Sequence, residues 1–382
     1  AFINTLSALT GADVAASNDI TGKLGDWVFE ATTGQINTDI SKVIQNNYQY
    51  NLANINGTVN NDYLIGTKDR DNISGGRGND TIYGGEGDDN LNGDQDDDSL
   101  YGGDGSDWLD GGLGNDFIDG GNENWGDTVN YHNALSAVIV DLIANLGNGG
   151  AGEDKLTNIE NISDSKYSDF LTGNDKNNTF NLTGGDDTIY GGKGQDQVAY
   201  YNFENGSGVN VNLNTGIATD IDKKNTYIGT DYLFSIENVR GTYFSDFIQL
   251  SNVPFDDNGL GGWANGNAGN DTILGGALGD GGSGNDSIDG GDGFDHVGYA
   301  DNGWDSGTED RSILGVTVNL VTGIAIDNWG NTDTLKNIEG INGSYFNDLL
   351  IGDDSNNNFH GDLGVDTLTG GKGLDNFYFL EN

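Results

Sequence analysis

The chain has 382 residues, a formal net charge of −46, 65 glycines, one proline and neither cysteine nor methionine. Its hydrophobic content of 34% is below that of typical globular domains, so composition alone would class it as disordered. So acidic a chain excludes nucleic-acid binding and argues against insertion into or binding to anionic membranes. The lack of cysteine fits an exported protein that is stabilised by metal ions and not by disulfides.

Residues 1–55 differ from the rest and predict a small mixed N-terminal segment. Apolar residues before Gly11 indicate the end of a helix, Trp27 begins a short strand, and the spacing from Ile40 to Tyr48 is helical. The passage from Leu9 to Trp27 resembles the closing part of a domain of unknown function found in very large bacterial surface and secreted proteins. This resemblance implies that the chain is an excerpt or a processed product of a longer polypeptide. Alternatively, the segment caps the end of the repeats that follow.

Residues 56–131 contain a first array in which an aspartate recurs every nine residues and an aliphatic residue follows two positions later. A complete unit runs from Gly75 to Tyr83 and reads G-G-R-G-N-D-T-I-Y. The aspartates of the array are Asp62, Asp71, Asp80, Asp89, Asp98, Asp107 and Asp116, and Asp127 closes it. Such a composition is ordinarily interpreted as a flexible acidic linker. A linker does not explain why the carboxylates and the aliphatic residues both recur every nine residues.

The spacing has a physical reason. Glycine permits the left-handed turn, aspartate supplies an anionic oxygen, and x-U-x is long enough for a short strand whose U side chain enters the core. Two units then form a coil of about 18 residues, and coils stack about 4.8 Å apart. Asp62 and Asp80, or Asp71 and Asp89, therefore converge on a shared cation. Calcium accepts irregular sets of oxygen ligands, so the pattern predicts calcium-filled turns and a chain that is disordered without metal.

Three further segments, 132–200, 201–299 and 300–382, each combine a spacer with another array. Every spacer contains a period-two strand, such as the one around Val140, and then a Leu-x-x-Ile-Glu stretch, such as the one ending at Glu160. The nine-residue spacing of the aspartates restarts at Asp169, Asp246 and Asp348. We interpret the spacers as additional coils with longer loops at 143–153, 220–230 and 301–313. The leucine-isoleucine spacing also allows a helix, and the sequence leaves this open.

The later arrays supply the remaining candidate calcium ligands. The third array contains a shortened unit, and one Asn replaces Asp in the second and in the fourth. The residues are Asp169, Asn178, Asp187 and Asp196; then Asp271, Asp280, Asp286 and Asp295; then Asp348, Asn357, Asp366 and Asp375. Together with the first array, they predict roughly ten bound calcium ions.

No catalytic constellation is present, so we expect the protein not to be an enzyme. The histidines are separated in sequence and are expected in strands or loops: His132, His296 and His360. Four tryptophans fall in the spacers or irregular stretches, where they stack on sugars or, more simply, pack locally: Trp125, Trp263, Trp304 and Trp329. The spacer glutamates are calcium ligands or solvated charges, and the second interpretation is favoured: Glu160, Glu237 and Glu339.

Residues 58–379 resemble the calcium-binding region of RTX (repeats-in-toxin) proteins. The resemblance implies an all-β fold, a parallel β-roll or β-helix solenoid with calcium in its turns, and export by a type I system. Two functions remain. The first is an extracellular or cell-surface structural or adhesive protein, with calcium, other copies of itself joined end to end, and cell-surface glycans as partners. The alternative is a calcium-triggered folding and export module of a larger toxin or enzyme.

Overall fold

A computed structural model describes residues 54–121, 126–200, 207–222, 228–251, 262–276, 278–299 and 314–379. The chain divides into two compact units, Ala1–Leu52 and Ala53–Asn382. The first unit lies outside the described residues, as do Trp125, Trp304 and the expected loop at 301–313. The predicted helical and strand segments of residues 1–52 therefore stay predictions.

All regular elements of the described residues are β-strands, which form two sheets. Sheet A contains β1 (Asn54–Asn56), β3 (Asn72–Arg77), β5 (Asn90–Gln95), β7 (Trp108–Asp110), β9 (Thr128–Asn130), β13 (Asn161–Ser163), β15 (Thr179–Asn181), β17 (Gln197–Ala199), β21 (Asn238–Arg240), β23 (Trp263–Asn265), β25 (Leu278–Asp280), β27 (His296–Gly298), β31 (Gly340–Asn342), β33 (Asn358–His360) and β35 (Asn376–Tyr378). Sheet B contains β2 (Tyr63–Ile65), β4 (Thr81–Glu86), β6 (Ser99–Asp104), β8 (Phe117–Gly121), β10 (Val138–Asp141), β11 (Leu146–Gly149), β12 (Glu153–Thr157), β14 (Phe170–Thr172), β16 (Thr188–Tyr190), β18 (Val209–Asn212), β19 (Ile217–Asp220), β20 (Thr230–Phe234), β22 (Phe247–Gln249), β24 (Thr272–Leu274), β26 (Ser287–Asp289), β28 (Thr317–Asn319), β29 (Ile324–Ile326), β30 (Thr332–Lys336), β32 (Leu349–Ile351) and β34 (Thr367–Thr369). The predicted all-β parallel β-roll is confirmed.

Consecutive nonapeptide units of the first array alternate between the two sheets. Ile73 pairs in register with Leu91 in sheet A, and Ile82 pairs with Leu100 in sheet B, each 18 residues along the chain. These aliphatic side chains are at most 2% exposed, because each unit contributes one residue to the space between the sheets. Two units therefore form one coil, as the spacing predicted.

One coil of the third array is shorter. Ile273 pairs with Ile288, 15 residues further on, and Ala264 pairs with Gly279 in the other sheet. Gly279 stands where other units carry an aliphatic side chain, and a Cβ there would lie 2.9 Å from Ile288 Cγ2. A neighbouring isoleucine thus fills the core in place of the missing side chain.

The described residues of the spacers contain no helix, and the first spacer is not a simple coil with a projecting loop. In the first spacer β10, β11 and β12 form an antiparallel meander inside sheet B, so the region predicted as a loop at 143–153 contains a strand. The last strand, β12, pairs in parallel with the preceding β8, whereas the first strand, β10, pairs in parallel with the following β14. The strands β18–β20 and β28–β30 repeat this reversed order.

Each meander adds two strands to sheet B for which sheet A has no counterpart, because β9 and β13, which flank the first meander in the chain, pair directly. A buried tyrosine from the end of the preceding array lies under the meander. The Tyr131 hydroxyl donates to Asp154 Oδ2 at 3.0 Å, and a Cβ on Gly147 of the middle strand would overlap that hydroxyl. The equivalent pairs are Tyr200 with Asp231 at 3.0 Å and Tyr299 with Asp333 at 3.2 Å.

Replacing Tyr131 by Phe should destabilise the calcium-loaded protein by about 1–3 kcal/mol, since it removes a hydrogen bond to a buried carboxylate. Urea unfolding in excess calcium measures the effect. Tyr190→Phe is the matched control, because Tyr190 is 40% exposed. Equal stability of the two variants would contradict a structural role for the buried pair.

Candidate metal sites

Aspartate carboxylates form two columns along the edges of the solenoid. In the first column, which precedes strands of sheet B, Asp80 Oδ1 accepts the N–H of Asp62 at 2.7 Å, and Asp98 Oδ1 accepts the N–H of Asp80 at 2.7 Å. In the second column, which precedes strands of sheet A, Asp89 Oδ1 accepts the N–H of Asp71 at 2.7 Å. Each carboxylate therefore connects two successive coils.

Most of the predicted ligands occupy these columns. The first column contains Asp62, Asp80, Asp98, Asp116, Asp169, Asp187, Asp271, Asp286, Asp348 and Asp366. The second contains Asp71, Asp89, Asp107, Asp127, Asn178, Asp196, Asp295, Asn357 and Asp375. Asp280 differs: it lies at the end of β25, where its Oδ1 accepts the N–H of Gly282 at 2.9 Å. Asp246, which was not among the candidate ligands, occupies the first column.

Acidic residues of the spacers continue both columns. In the first column Asp154 accepts the N–H of Asp116 at 3.0 Å, and Asp231 and Asp333 do the same at their spacers. In the second column Glu160 accepts the N–H of Asp127 at 3.1 Å. Glu237 and Glu339 repeat this contact with Asp196 and Asp295.

The interpretation of these glutamates as solvated charges was wrong. The Glu160 side chain is 13% exposed, and its carboxylate takes the place that an aspartate takes within an array. The sequence does indicate that the acidic residues of the spacers belong to the columns. Each lies two residues before a core aliphatic, as Asp154 lies before Leu156 and Glu160 before Ile162, which is the spacing of the nonapeptide itself.

The columns contain two classes of site, which differ in the residue four positions before the aspartate. In a closed site that residue is Ser or Thr, whose backbone N–H donates to the second carboxylate oxygen. Ser165 donates its N–H to Asp169 Oδ2 at 2.8 Å, and its hydroxyl lies 2.8 Å from the same oxygen. The other closed aspartates, which begin arrays, are Asp62, Asp71, Asp246 and Asp348. Protein donors alone satisfy these carboxylates.

In the open sites other than Asp187, the residue four positions before the aspartate has a positive φ. Examples are Gly85 before Asp89, with φ 124°, and Asp94 before Asp98, with φ 73°. The N–H of that residue then does not donate to the aspartate, and the buried Oδ2 has no hydrogen-bond partner. Asp187 is preceded at that position by Thr183, whose hydroxyl donates to Asp164. The same unsatisfied oxygen occurs in Asp80, Asp89, Asp98, Asp116, Asp187, Asp196, Asp271, Asp286 and Asp295. Buried carboxylate oxygens without a donor require a cation or a proton.

At Asp89 the unsatisfied oxygen lies beside a glycine that cannot be replaced without filling the space. A Cβ on Gly84 would overlap Asp89 Oδ2 and lie 2.6 Å from the carbonyl oxygen of Gly102, 18 residues away. The glycine therefore leaves a small cradle in which a carboxylate oxygen and a backbone carbonyl of the next coil approach each other.

Gly84→Ala should fill this cradle, weaken the open site at Asp89 and raise the calcium concentration needed for half-folding. The expected loss is about 1–3 kcal/mol, because the methyl group overlaps backbone and carboxylate atoms. Calcium titration followed by circular dichroism measures it. Gly298→Ala is the control, since a Cβ there meets Leu278 Cδ1 at an ordinary 3.5 Å. Equal midpoints for the two variants would argue against the cradle.

The two asparagines close their own sites. Asn178 Nδ2 donates to the carbonyl of Glu160 at 2.7 Å, and Asn178 Oδ1 accepts the N–H of Asn174 at 2.7 Å. Asn357 makes the equivalent contacts with Glu339 and Asp353. Both amides thus lie in the column, but their hydrogen bonds leave no buried oxygen without a donor.

The open sites are strongly electronegative. Burial, followed by repulsion from neighbouring carboxylates, raises the pKa of Asp98 to about 8 and that of Asp271 to about 9. The lysines that pair with acids lie on the surface, such as Lys193, which contacts Asp175 at 2.5 Å. The atoms available to bind a metal ion are hard oxygens of carboxylates and carbonyls. Their irregular arrangement fits calcium better than magnesium, which requires a small octahedron.

Comparison with protein families agrees with this geometry. The profile of the RTX calcium-binding nonapeptide repeat matches residues 56–91, 92–124, 165–198, 261–277, 280–297 and 342–377. These stretches are RTX calcium-binding nonapeptide repeats. Calcium is therefore the ion of these repeats. In this RTX chain, residues 1–52 match a domain of unknown function, DUF4347, which confirms the resemblance of the N-terminal segment. No curated protein matches the chain.

The other residues considered from the sequence have no obvious chemical role. His296 and His360 lie in strands of sheet A, with ring centroids 6.5 Å apart, and His360 stacks on Tyr378 at 4.3 Å. Trp263 lies in β23, and Trp329 borders an open polar cleft with Asn270 and Asn331. Within the described residues there is no helix able to cross a bilayer.

Proposed function

We propose that this RTX protein is an extracellular structural protein whose calcium-stiffened solenoid is itself the functional part. The observation that carries the proposal is the distribution of open sites. They recur in the first, second and third arrays, and the spacers continue the columns between arrays through residues such as Asp154 and Glu160. Calcium bound along these columns couples successive coils throughout the solenoid.

The extracellular medium suits such a protein. Extracellular calcium is millimolar, which fills weak sites of this kind, whereas cytosolic calcium leaves them empty. Export by a type I system, which the family resemblance implies, would then deliver an unfolded chain that folds on meeting calcium. No catalytic constellation supports an enzymatic role for this chain. The alternative role, as the folding and export module of a larger toxin or enzyme, uses the same calcium sites.

The last described coil supplies a surface for self-association. Phe377 stacks on Phe359 at 5.0 Å and is 39% exposed, while Phe379 and Leu374 are 78% and 80% exposed. Within the described residues, strand β35 pairs on one side only, with β33. An apolar edge of this kind binds a further strand, and end-to-end contact between copies would propagate as a filament.

Light scattering and electron microscopy test the structural role. We expect concentration-dependent elongated particles in millimolar calcium and none in chelator, because the edge exists only in the folded state. Phe379→Asp should abolish assembly and leave the monomer folded. Val321→Asp is the control, since Val321 is 69% exposed in the turn between β28 and β29, away from this edge. A folded, monodisperse monomer at high protein concentration would favour the module role.

Glycan binding is a second partner hypothesis. The aromatic rings on the outside of sheet B do not favour it, because Tyr83 and Tyr101 stack on each other at 4.6 Å and Tyr190 stacks on Phe234 at 4.6 Å. Their faces are occupied by one another. The cleft beside Trp329, lined by Asn270 and Asn331, is the better candidate. Loss of glycan-array binding in Trp329→Ala would support it.

A further inference from the structure

Three buried carboxylates come together where the first spacer meets the second array. Asp164 follows β13, Asp169 precedes β14 and Asp187 precedes β16, and ligand oxygens of the three lie within 4.8 Å of one another. Two oxygens of one calcium ion are at most about 5 Å apart, given bonds of about 2.3–2.6 Å. The three carboxylates are therefore close enough to bind the same ion.

Asp164 is unusual because it occupies a glycine position of the repeat. The residue five positions before the aspartate that restarts the phase is Gly241 in the second spacer and Gly343 in the third, whereas in the first it is Asp164, before Asp169. A Cβ on Gly241 would overlap Asp246 Oδ2, and a Cβ on Gly343 would overlap Asp348 Oδ2. Only the first spacer adds a side chain, and that side chain is an acid.

The hydrogen bonds around Asp164 leave a vacant acceptor directed into the cluster. Its Oδ1 accepts the Thr183 hydroxyl at 2.6 Å, while its Oδ2 has no partner although the residue is fully buried. Asp187 shows the same division, since its Oδ1 accepts the N–H of Asp169 at 2.7 Å and its Oδ2 has no partner. Two buried, unsatisfied oxygens from different carboxylates thus share this space.

The charges around the cluster do not balance. Asp231, whose Oδ1 accepts the N–H of Asp187 at 3.2 Å, adds a fourth carboxylate nearby. Burial and the charge of Asp187 hold the pKa of Asp164 well above its ordinary value. The ion pairs of this array, Lys176 with Glu160 and Lys193 with Asp175, do not involve Asp164 or Asp187. A bound cation would compensate charges that protein groups here do not.

We propose that Asp164 and Asp187 bind one calcium ion through their unsatisfied Oδ2 atoms, beside the closed carboxylate of Asp169, so that Asp164 adds a charged ligand to a site of the repeats. Calcium affinity rises with the number of charged ligands, so this site should bind more tightly than sites with one carboxylate from each coil. It would keep its ion longest during chelation and hold the second array to the first spacer. The inference rests on the proposed calcium-dependent fold but concerns one site in it.

Equilibrium dialysis with calcium and elemental analysis tests the site on the full chain. We compare Asp164→Gly, which restores the residue found at the other two spacers, with Asp164→Asn, which keeps the shape and removes the charge. Both should lose the tightest class of site, with at least about a tenfold fall in its affinity. Asp175→Asn is the control for removal of one acid from the same array, because the Asp175 side chain is 72% exposed.

Unchanged tightest affinity in both Asp164 variants would overturn the proposal. Asp164 and Asp187 would then share a proton, which infrared spectroscopy would detect as a protonated carboxyl group in the calcium-loaded protein. This failure differs from failure of the proposed function. If only the proposed role of Asp164 fails, chelator still unfolds both variants. If the proposed calcium-dependent function fails, the wild-type chain keeps its β structure in chelator.

Discussion

Removal of calcium should unfold the solenoid. In chelator at pH 7.5 and low salt we expect a coil-like circular dichroism spectrum, and in millimolar calcium a β spectrum. The open sites contain buried carboxylates without donors, and the whole chain carries a net charge of −46. Because about ten ions would neutralise about twenty of these charges, the binding free energy becomes folding free energy.

The magnitude of this effect follows from the core. Each unit of the first array buries one aliphatic side chain, such as Ile82 or Leu91, which does not compensate the conformational entropy of nine ordered residues. Magnesium at the same concentration is the control, since it keeps its waters and demands an octahedral site. A β spectrum that persists in excess chelator would refute calcium-driven folding.

Acid should partly replace calcium in the metal-free chain. Burial raises the pKa of Asp89 to about 7 and that of Asp98 to about 8 in the folded arrangement, from an ordinary value of 3.8. The folded state then binds more protons than the unfolded state between these values, so its stability falls as pH rises from about 4 to 8. In chelator, β structure should therefore increase from pH 8 to pH 5. In calcium the dependence should reverse, because protons compete for the ligands.

Replacement of an aspartate in the middle of the first array should produce the second large effect. Asp89 is 2% exposed, accepts the N–H of Asp71 and donates its own N–H to Asp107 at 2.8 Å, while its Oδ2 is unsatisfied. Asp89→Ala removes a ligand and a bond between coils. We expect a loss of about 1–3 kcal/mol and a higher calcium midpoint in titrations.

Two controls separate calcium binding from general acidity and from hydrogen bonding. Asp175→Ala removes an exposed charge and should leave the midpoint unchanged. Asp348→Ala removes a closed carboxylate, which the N–H and hydroxyl of Ser344 satisfy at 2.7 and 2.6 Å. It should lower stability without reducing the number of bound ions, whereas Asp89→Ala should reduce both. Loss of an ion in Asp348→Ala would show that closed sites also bind calcium.

The repeat spacing by itself determined the coil. A nine-residue period with one aspartate and one aliphatic per unit leaves little freedom. The strand is three to six residues long, its U side chain must point inward, and glycine must make the turn. This reasoning predicted the 18-residue register of Ile73 with Leu91, the parallel β-roll and the columns of aspartates. These features are local, so a sequence pattern is sufficient to predict them.

Only the tertiary structure decided how the spacers fold and which carboxylates are satisfied. Strand β12 pairs with β8, although β10 and β11 intervene in the chain, and no periodicity encodes such a reversed order. It places Asp154 beneath Asp116 and beside Tyr131. Whether an aspartate is open or closed depends on the residue four positions earlier and where its donors point, as at Gly85, Ser165 or Thr183. Hydrogen bonding between coils, and not composition, therefore distinguishes carboxylates that need a cation from those that protein donors already satisfy.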